Sequence, residues 1–256
     1  MNSKKLYIGI GSLVIIFMLL SLYFAFKYEE KYFTVISDPD FKVIYKDNKW
    51  TRITGKLNKL ETDYDVYDEN GYLGNYNLSY LAKANRWYVY NDKMSEVDKI
   101  GQIIGIKSNM EYNMIKFTKQ EFIDSDIQYI KNILSRNKMD IDTSLANNTL
   151  LSVDLNNDKR DDKIIISNLF QNIDKNNNAY SIIVAVIDQE VYNLYYSAKE
   201  KDDNYIVMHG NIKSIFDFKK DGNAELIITA NSFGQANSCS TIQEITKKGS
   251  KLHIKC

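Results

Sequence analysis

The sequence predicts a mainly β protein: an N-terminal transmembrane helix, an antiparallel β module, one amphipathic helix, and two four-stranded units resembling propeller blades. Three observations carry this. An uncharged apolar run spans residues 6–26, short alternating runs fill most of the remaining chain, and a stretch of about 19 residues recurs without gaps 63 positions later. Tyr, Ile and Val are abundant, while proline occurs once, at Pro39. That composition favours strands. The skew towards Lys, Asn and Ile reads as the coding bias of an AT-rich genome. The chain has 33 basic and 33 acidic residues over 256 positions. Lys is interleaved with Asp and Glu and forms no basic stripe, which excludes an electrostatic nucleic-acid binder.

Residues 6–26, "LYIGIGSLVIIFMLLSLYFAF", would make roughly 30 Å of helix, enough to cross a bilayer. Lys4 and Lys5 precede the run, and Lys27, Glu29, Glu30 and Lys31 follow it without net charge. The positive flank stays inside, so the expected order is a cytoplasmic tail at 1–5, an anchor at 6–27 and an outward-facing remainder. A cleaved signal peptide would have a shorter apolar core with small residues before the cut. Here the run ends "SLYFAFK", bulky and aromatic. A buried soluble helix would rarely be apolar on every face. The expected location is therefore the cell membrane, single-pass, with the work done outside.

Residues 32–117 are expected to form a β-rich module. Alternating runs are broken by turns at "KDNKW" (46–50), "DENGY" (68–72) and "KANRW" (83–87). Asn70-Gly71 is the strongest hairpin signal among them. Tyr67, Tyr72, Tyr76, Tyr80, Trp87 and Tyr90 stand at strand spacing. Such residues are more often core and cross-strand partners than a ligand-stacking platform.

One amphipathic helix is expected at 118–138. Thr118 and Glu121 form a capping-box pattern, Phe117 and Phe122 a hydrophobic staple. Ile123, Ile127, Ile130 and Leu134 follow at helical spacing. Asp124 and Asp126 complement the dipole of the first turn. They are no metal pair, because alternate residues on a helix point apart.

Residues 140–256 contain the repeat. "TLLSVDLNNDKRDDKIIIS" (149–167) aligns on "IKSIFDFKKDGNAELIITA" (212–230), and two further strand-like runs follow each copy, at 180–187 and 191–197, then 239–246 and 251–256. Each unit therefore predicts strand, acidic loop, strand, strand, turn, strand: a four-stranded meander of the kind found in propeller blades.

Hard cations take several oxygens converging from a short loop. Positions 1, 3, 5 and 9 of the first loop are Asp154, Asn156, Asp158 and Asp162, and position 7, Arg160, offers its carbonyl. An EF-hand is excluded, since positions 6 and 12 are Lys159 and Ile165 rather than Gly and Glu. The arrangement resembles the Asp-x-Asp-x-Asp-Gly-x-x-Asp loop of FG-GAP (integrin α-subunit-like) repeats, as do the strands "KIII" and "ELII" that follow. The resemblance covers the two repeated stretches and not residues 1–140. It implies Ca2+ at Asp154, Asn156, Asp158, Arg160 (carbonyl) and Asp162. Bacterial envelope proteins often carry loops of this look. Lys159 departs from the glycine at position 6, and a left-handed backbone there costs on the order of 1 kcal/mol. The second loop, Asp217, Lys219, Asp221, Gly222 and Glu225, keeps the glycine but has Lys219 at position 3. An ammonium there excludes a divalent ion, and is expected between Asp217 and Asp221 as a salt bridge. The bland reading of both loops is a polar turn whose Asp and Asn bond their own backbone.

Cys239 and Cys256 flank the last hairpin, "CSTIQEITKKGSKLHIKC". Folding at "KKG" brings them nearly opposite, and a disulfide there would contribute about 3 kcal/mol. The alternative is two unpaired thiols at a fraying end.

No nucleophile elbow, His-Glu-x-x-His, Cys-x-x-Cys or phosphate loop occurs. His209 and His253 stand alone and read as structural. "NSFGQANS" (231–238) reads as a surface loop. The expectation is a non-enzymatic binding protein, held in the membrane through residues 6–27, whose partner is an envelope protein or a surface polymer. The rivals are an enzyme or enzyme accessory acting on the cell wall, recognised by turnover of wall polymer, and a structural assembly subunit, recognised by stoichiometric recovery from membranes.

Overall fold

The structure, a computed structural model, describes residues 31–38, 41–53, 61–68, 71–81, 86–90, 96–97, 103–170, 178–200, 206–232, 238–246 and 249–254, together with 16 and 18. Ile16 and Met18 are helical and exposed. The rest of the expected anchor, 6–27, lies outside the described residues. Among the described residues no helix is long and apolar enough to cross a membrane.

Eight strands make the N-terminal sheet: β1 (Tyr32–Asp38), β2 (Phe41–Lys46), β3 (Lys49–Arg52), β4 (Glu61–Asp68), β5 (Gly71–Leu81), β6 (Arg86–Tyr90), β7 (Glu96–Val97) and β8 (Ile104–Ser108). Their order is β3-β2-β1-β8-β4-β5-β6-β7, so β8 joins two meanders. The "KDNKW" turn is a two-residue hairpin. Lys46 pairs with Lys49, and Asp47 and Asn48 carry φ of 52° and 60°, the left-handed conformations that match strand twist. Gly105 in β8 sits where a Cβ would meet Leu78 at 2.4 Å, so close packing requires the missing side chain.

Two short strands leave this sheet, β9 (Asn113–Met114) and β10 (Thr118–Gln120). The helix α1 follows at Asp124–Arg136. Its N-cap falls five residues later than Thr118, the N-cap that the capping pattern predicts. Thr118–Gln120 instead pairs with Leu150–Ser152 as an edge strand. The N-cap is Ile123, whose N–H donates to the Asp126 carboxylate at 3.3 Å. Phe117 and Phe122 form no staple, because they pack against different cores. Asp124 and Asp126 do occupy the first turn, and buried Asp126 meets Lys163 Nζ at 2.9 Å.

The two expected meanders follow. β11 (Asn147–Val153), β12 (Asp162–Phe170), β13 (Ala179–Ile187) and β14 (Glu190–Lys199) pair antiparallel in chain order, with β10 added beside β11. β15 (Met208–Asp217), β16 (Ala224–Ser232), β17 (Ser238–Thr246) and β18 (Gly249–Ile254) repeat the pattern, with β9 beside β15. Gly249 has φ 137°; the two lysines before it lie outside the described residues.

The sheets stack in layers, which explains why "KIIIS" and "ELIITA" are continuous apolar runs rather than alternating ones. Along β12, Ile164 and Ile166 face the second meander, whereas Ile165 and Leu169 face α1. Along β16, Leu226 and Ile228 face the first meander, whereas Ile227 faces the N-terminal sheet. The order of layers is therefore helix, first meander, second meander, N-terminal sheet. An aromatic seam joins the last two: Phe218 touches Phe33, Trp50, Tyr112 and Phe216 at centroid distances of 4.9–6.1 Å. Ser37 Oγ also donates to Ser240 Oγ across it at 3.0 Å, both buried.

Candidate functional site: the paired acidic loops

Each loop links the first two strands of its meander, β11 to β12 and β15 to β16. The two share one hydrogen-bond frame. Asp154 Oδ1 and Oδ2 accept from the N–H of Asp158 and Lys159 at 3.2 and 2.9 Å. Asp217 does the same for Asp221 and Gly222, both at 3.1 Å. Asp158 Oδ1 accepts from Arg160 N–H at 2.9 Å, as Asp221 Oδ1 accepts from Asn223 at 3.0 Å. Asp162 Oδ2 accepts from Leu155 N–H, and Glu225 Oε2 from Phe218 N–H, each at 3.0 Å. Every pair is 63 residues apart. Backbone turns agree too, with φ of 56° and 52° at Asn157 and Lys220, and 67° and 80° at Lys159 and Gly222. Lys159 thus adopts the left-handed conformation that position 6 demands despite its Cβ. The loops also touch: Ala224 N–H donates to Leu155 O at 3.2 Å.

They differ in what neutralises the acids. In the second loop Lys219 reaches inward. Its Nζ lies 3.3 Å from Asp221, 3.2 Å from Glu225 Oε1, and in direct ion-pair contact with Glu244. The expected bridge to Asp217 does not form, because backbone amides take both Asp217 oxygens. Glu244, directly opposite Glu225 across β16 and β17, takes the place. Its other oxygen meets His253 Nε2 at 2.6 Å. Burial opposes the charge on Lys219, but Glu244, Glu225 and Asp221 outweigh it and raise the pKa. Burial pushes the Glu225 carboxyl up to about 8, against the pull of Phe218 N–H and Lys219. With Glu225 fully buried and Glu244 nearly so, the cluster acts as an internal pin, with Asp221 at its exposed edge. Glu244 and His253 lie outside the repeat, so nothing in the repeated motif announced them; only the register of the last hairpin places them here.

In the first loop no lysine points inward. Asn156 holds position 3, accepting from Asp158 N–H at 3.1 Å and donating to Asp158 Oδ2 at 3.4 Å. Arg160 comes from outside, its Nε 3.0 Å from Asp158 Oδ2 and its Nη2 2.8 Å from Asp188 Oδ1. That guanidinium is 70 % exposed, so the pairing is worth little. Asp162 is buried, and its Oδ1 accepts no hydrogen bond among the described residues. Burial first, then Asp158, Asp154 and Asp188, lift its pKa to about 6 against the Leu155 N–H. Asp161 is diverted to Ser152 Oγ at 2.6 Å. Among the described residues no three His, Cys, Asp or Glu side chains converge on one point suited to a metal ion. Amides hold Asp154 and Arg160 holds Asp158.

Cys239 is disulfide-bonded. The chain's other cysteine, Cys256, lies outside the described residues. His209 lies within β15, with its ring against Phe170 and its pKa lowered by burial. Compared with family models, curated proteins and solved structures, the chain matches none.

Proposed function

We propose that the chain is a membrane-anchored, outward-facing protein that acts by binding an envelope protein or surface polymer, and that one calcium ion orders its first acidic loop. The shared hydrogen-bond frame of the two loops carries this reading. The second loop supplies its own cation, Lys219, to the carboxylates at positions 5 and 9. The first loop has the same frame, carboxylates at positions 1, 5 and 9, and Asn156 where the lysine stands. A soluble cation would do there what the tethered ammonium of Lys219 does in the second loop. Calcium would be held by Asp154, Asn156, Asp158, the Arg160 carbonyl and Asp162, once the exposed Arg160 side chain releases Asp158. The meander order and the loop after the first strand are the features in common with FG-GAP blades. The uncharged run at 6–26 supports the anchor, and the disulfide at Cys239 supports an oxidising, exterior compartment.

The test is the melting temperature of the full-length chain in detergent, with calcium and with chelator, beside Asp158→Ala. At roughly ten times Kd, calcium adds about 1.4 kcal/mol, or roughly 3–6 °C for a chain of this size. Wild type should show that shift and Asp158→Ala should not. Equal melting temperatures for wild type in calcium and in chelator would refute the metal reading.

A further inference from the structure

A second feature lies away from the cation position. β4, β5, the segment 109–112 and the tip of the second loop enclose an open cleft of about 500 Å3, whose working groups are Asp65, Tyr67, Tyr72, Tyr112, Glu111 and Lys220. Tyr67 packs on Tyr72 at 5.3 Å and edge-on to Tyr112 at 6.3 Å. The hydroxyl hydrogens all point along one chain. Tyr67 donates to Tyr112 at 3.0 Å, and Tyr112 donates to Asp65 Oδ2 at 2.8 Å. Tyr72 Oη and Asn75 Nδ2 donate to Asp65 Oδ1 at 3.2 and 3.4 Å. Burial, then Tyr67 and Asp65, hold the Tyr112 pKa far above the ordinary tyrosine range, so this donor stays committed. Each phenol has one hydrogen and two lone pairs. With the hydrogens spent on Asp65, the phenol oxygens and the carboxylate present acceptor sites beside ring faces. Asp65 and Glu111 outnumber Lys220, and the Glu111–Lys220 pair, 2.6 Å, sits exposed at the rim.

We propose that this cleft binds an alkylammonium group, with the stem against Tyr72 and Tyr67 and the ammonium at Asp65. Rings and a carboxylate attract a cation, and an ammonium brings the donors that the site no longer has. A carboxylate or phosphate would find no free hydroxyl donor, and a neutral hydroxyl would gain a hydrogen bond without the charge. The ammonium comes either from a small amine or from a lysine side chain of a protein partner. The proposal rests on the chain being a binding protein, not on calcium.

Calorimetric titration of the full-length chain in detergent tests it, with n-butylammonium, a capped Gly-Lys-Gly peptide, 1-butanol and butyrate as probes. Both ammonium probes should bind saturably. The tighter of the two identifies the source, peptide for a protein partner and free amine for a small molecule. Asp65→Asn should weaken them about tenfold or more. Tyr72→Ala, a change at a ring 59 % exposed that leaves the core intact, should weaken them about threefold. Butanol or butyrate binding as tightly as butylammonium, absence of saturable amine binding, or unchanged affinity in both variants would overturn the proposal. Asp158→Ala should leave amine binding untouched, so failure here and failure of the calcium reading are separate results.

Discussion

Lys219 and Asn156 occupy the same position in two copies of one loop, and the difference between them decides how each loop meets its charge. The ammonium of Lys219 is tethered, so it forgoes no binding entropy and depends on no ion concentration. Replacing it with the residue of the other copy, Lys219→Asn, leaves Asp221, Glu225 and Glu244 without their cation. Stability should fall on the order of 3 kcal/mol in chelator, and calcium should restore part of it. Thermal denaturation in both conditions checks this; a variant as stable as wild type in chelator would contradict the pin. Asp162 gives a pH prediction. Its folded pKa, about 6, lies above its unfolded value, so without calcium its contribution is present in acid and is lost as pH rises through about 4 to 6. The groups facing it are Asp154, Asp158, Asp188 and the Leu155 amide. Calcium requires the ionised form, so the calcium-induced rise in melting temperature should be full at about pH 7.5 and fall to roughly a quarter of that near pH 5. A shift of equal size at both values would remove Asp162 from the ligand set. At this scale the sequence was legible where roles are local. Asp154, Asp158 and Asp162 could be paired with Asp217, Asp221 and Glu225 from spacing alone. Glu244 could not, because cross-strand neighbours depend on register.

At the scale of elements, the repeat was readable because both meanders are buried on both faces, so that continuous apolar runs between polar turns leave a strong pattern. The helix starts later than its capping pattern predicts for a definite reason. "FTKQEF" satisfies a capping box locally, yet Thr118–Gln120 gains three backbone pairings at the edge of β11, and tertiary pairing overrides the cap. Gly105 is a further element-scale requirement that only pairing shows. It lies opposite Ile36 on one side and Val66 on the other, with Leu78 and Tyr64 closing over it. Gly105→Ala should cost about 1–3 kcal/mol by overpacking, measured by denaturant unfolding with an unchanged m-value. A neutral outcome would mean that Leu78 moves aside without cost.

At the scale of the molecule, the order of layers was not legible. Apolar runs announce that both faces of β12 and β16 are covered, but not by what. The aromatic seam is the clearest case, since Phe33, Trp50, Tyr112, Phe216 and Phe218 come from distant parts of the chain. Tyrosines at strand spacing read as core, which suits buried Tyr67; exposed Tyr72 beside Asp65 shows that the same spacing can also line a cleft. Because the seam joins the N-terminal sheet to the second meander, the two should unfold together. Phe218→Ala should cost about 3–5 kcal/mol and lower one shared transition rather than split it. Two separate transitions in wild type would contradict a common core.

One cation position recurs in the two loops: a tethered ammonium fills it in the second, and a soluble ion is proposed for it in the first. The most direct test is the calcium stoichiometry of the full-length chain near neutral pH, titrated to several times the range of about 0.1–1 mM typical of exterior modules. One ion per wild-type chain, lost in Asp158→Ala, is the predicted result. No saturable binding, or binding unaffected by Asp158→Ala, would contradict it.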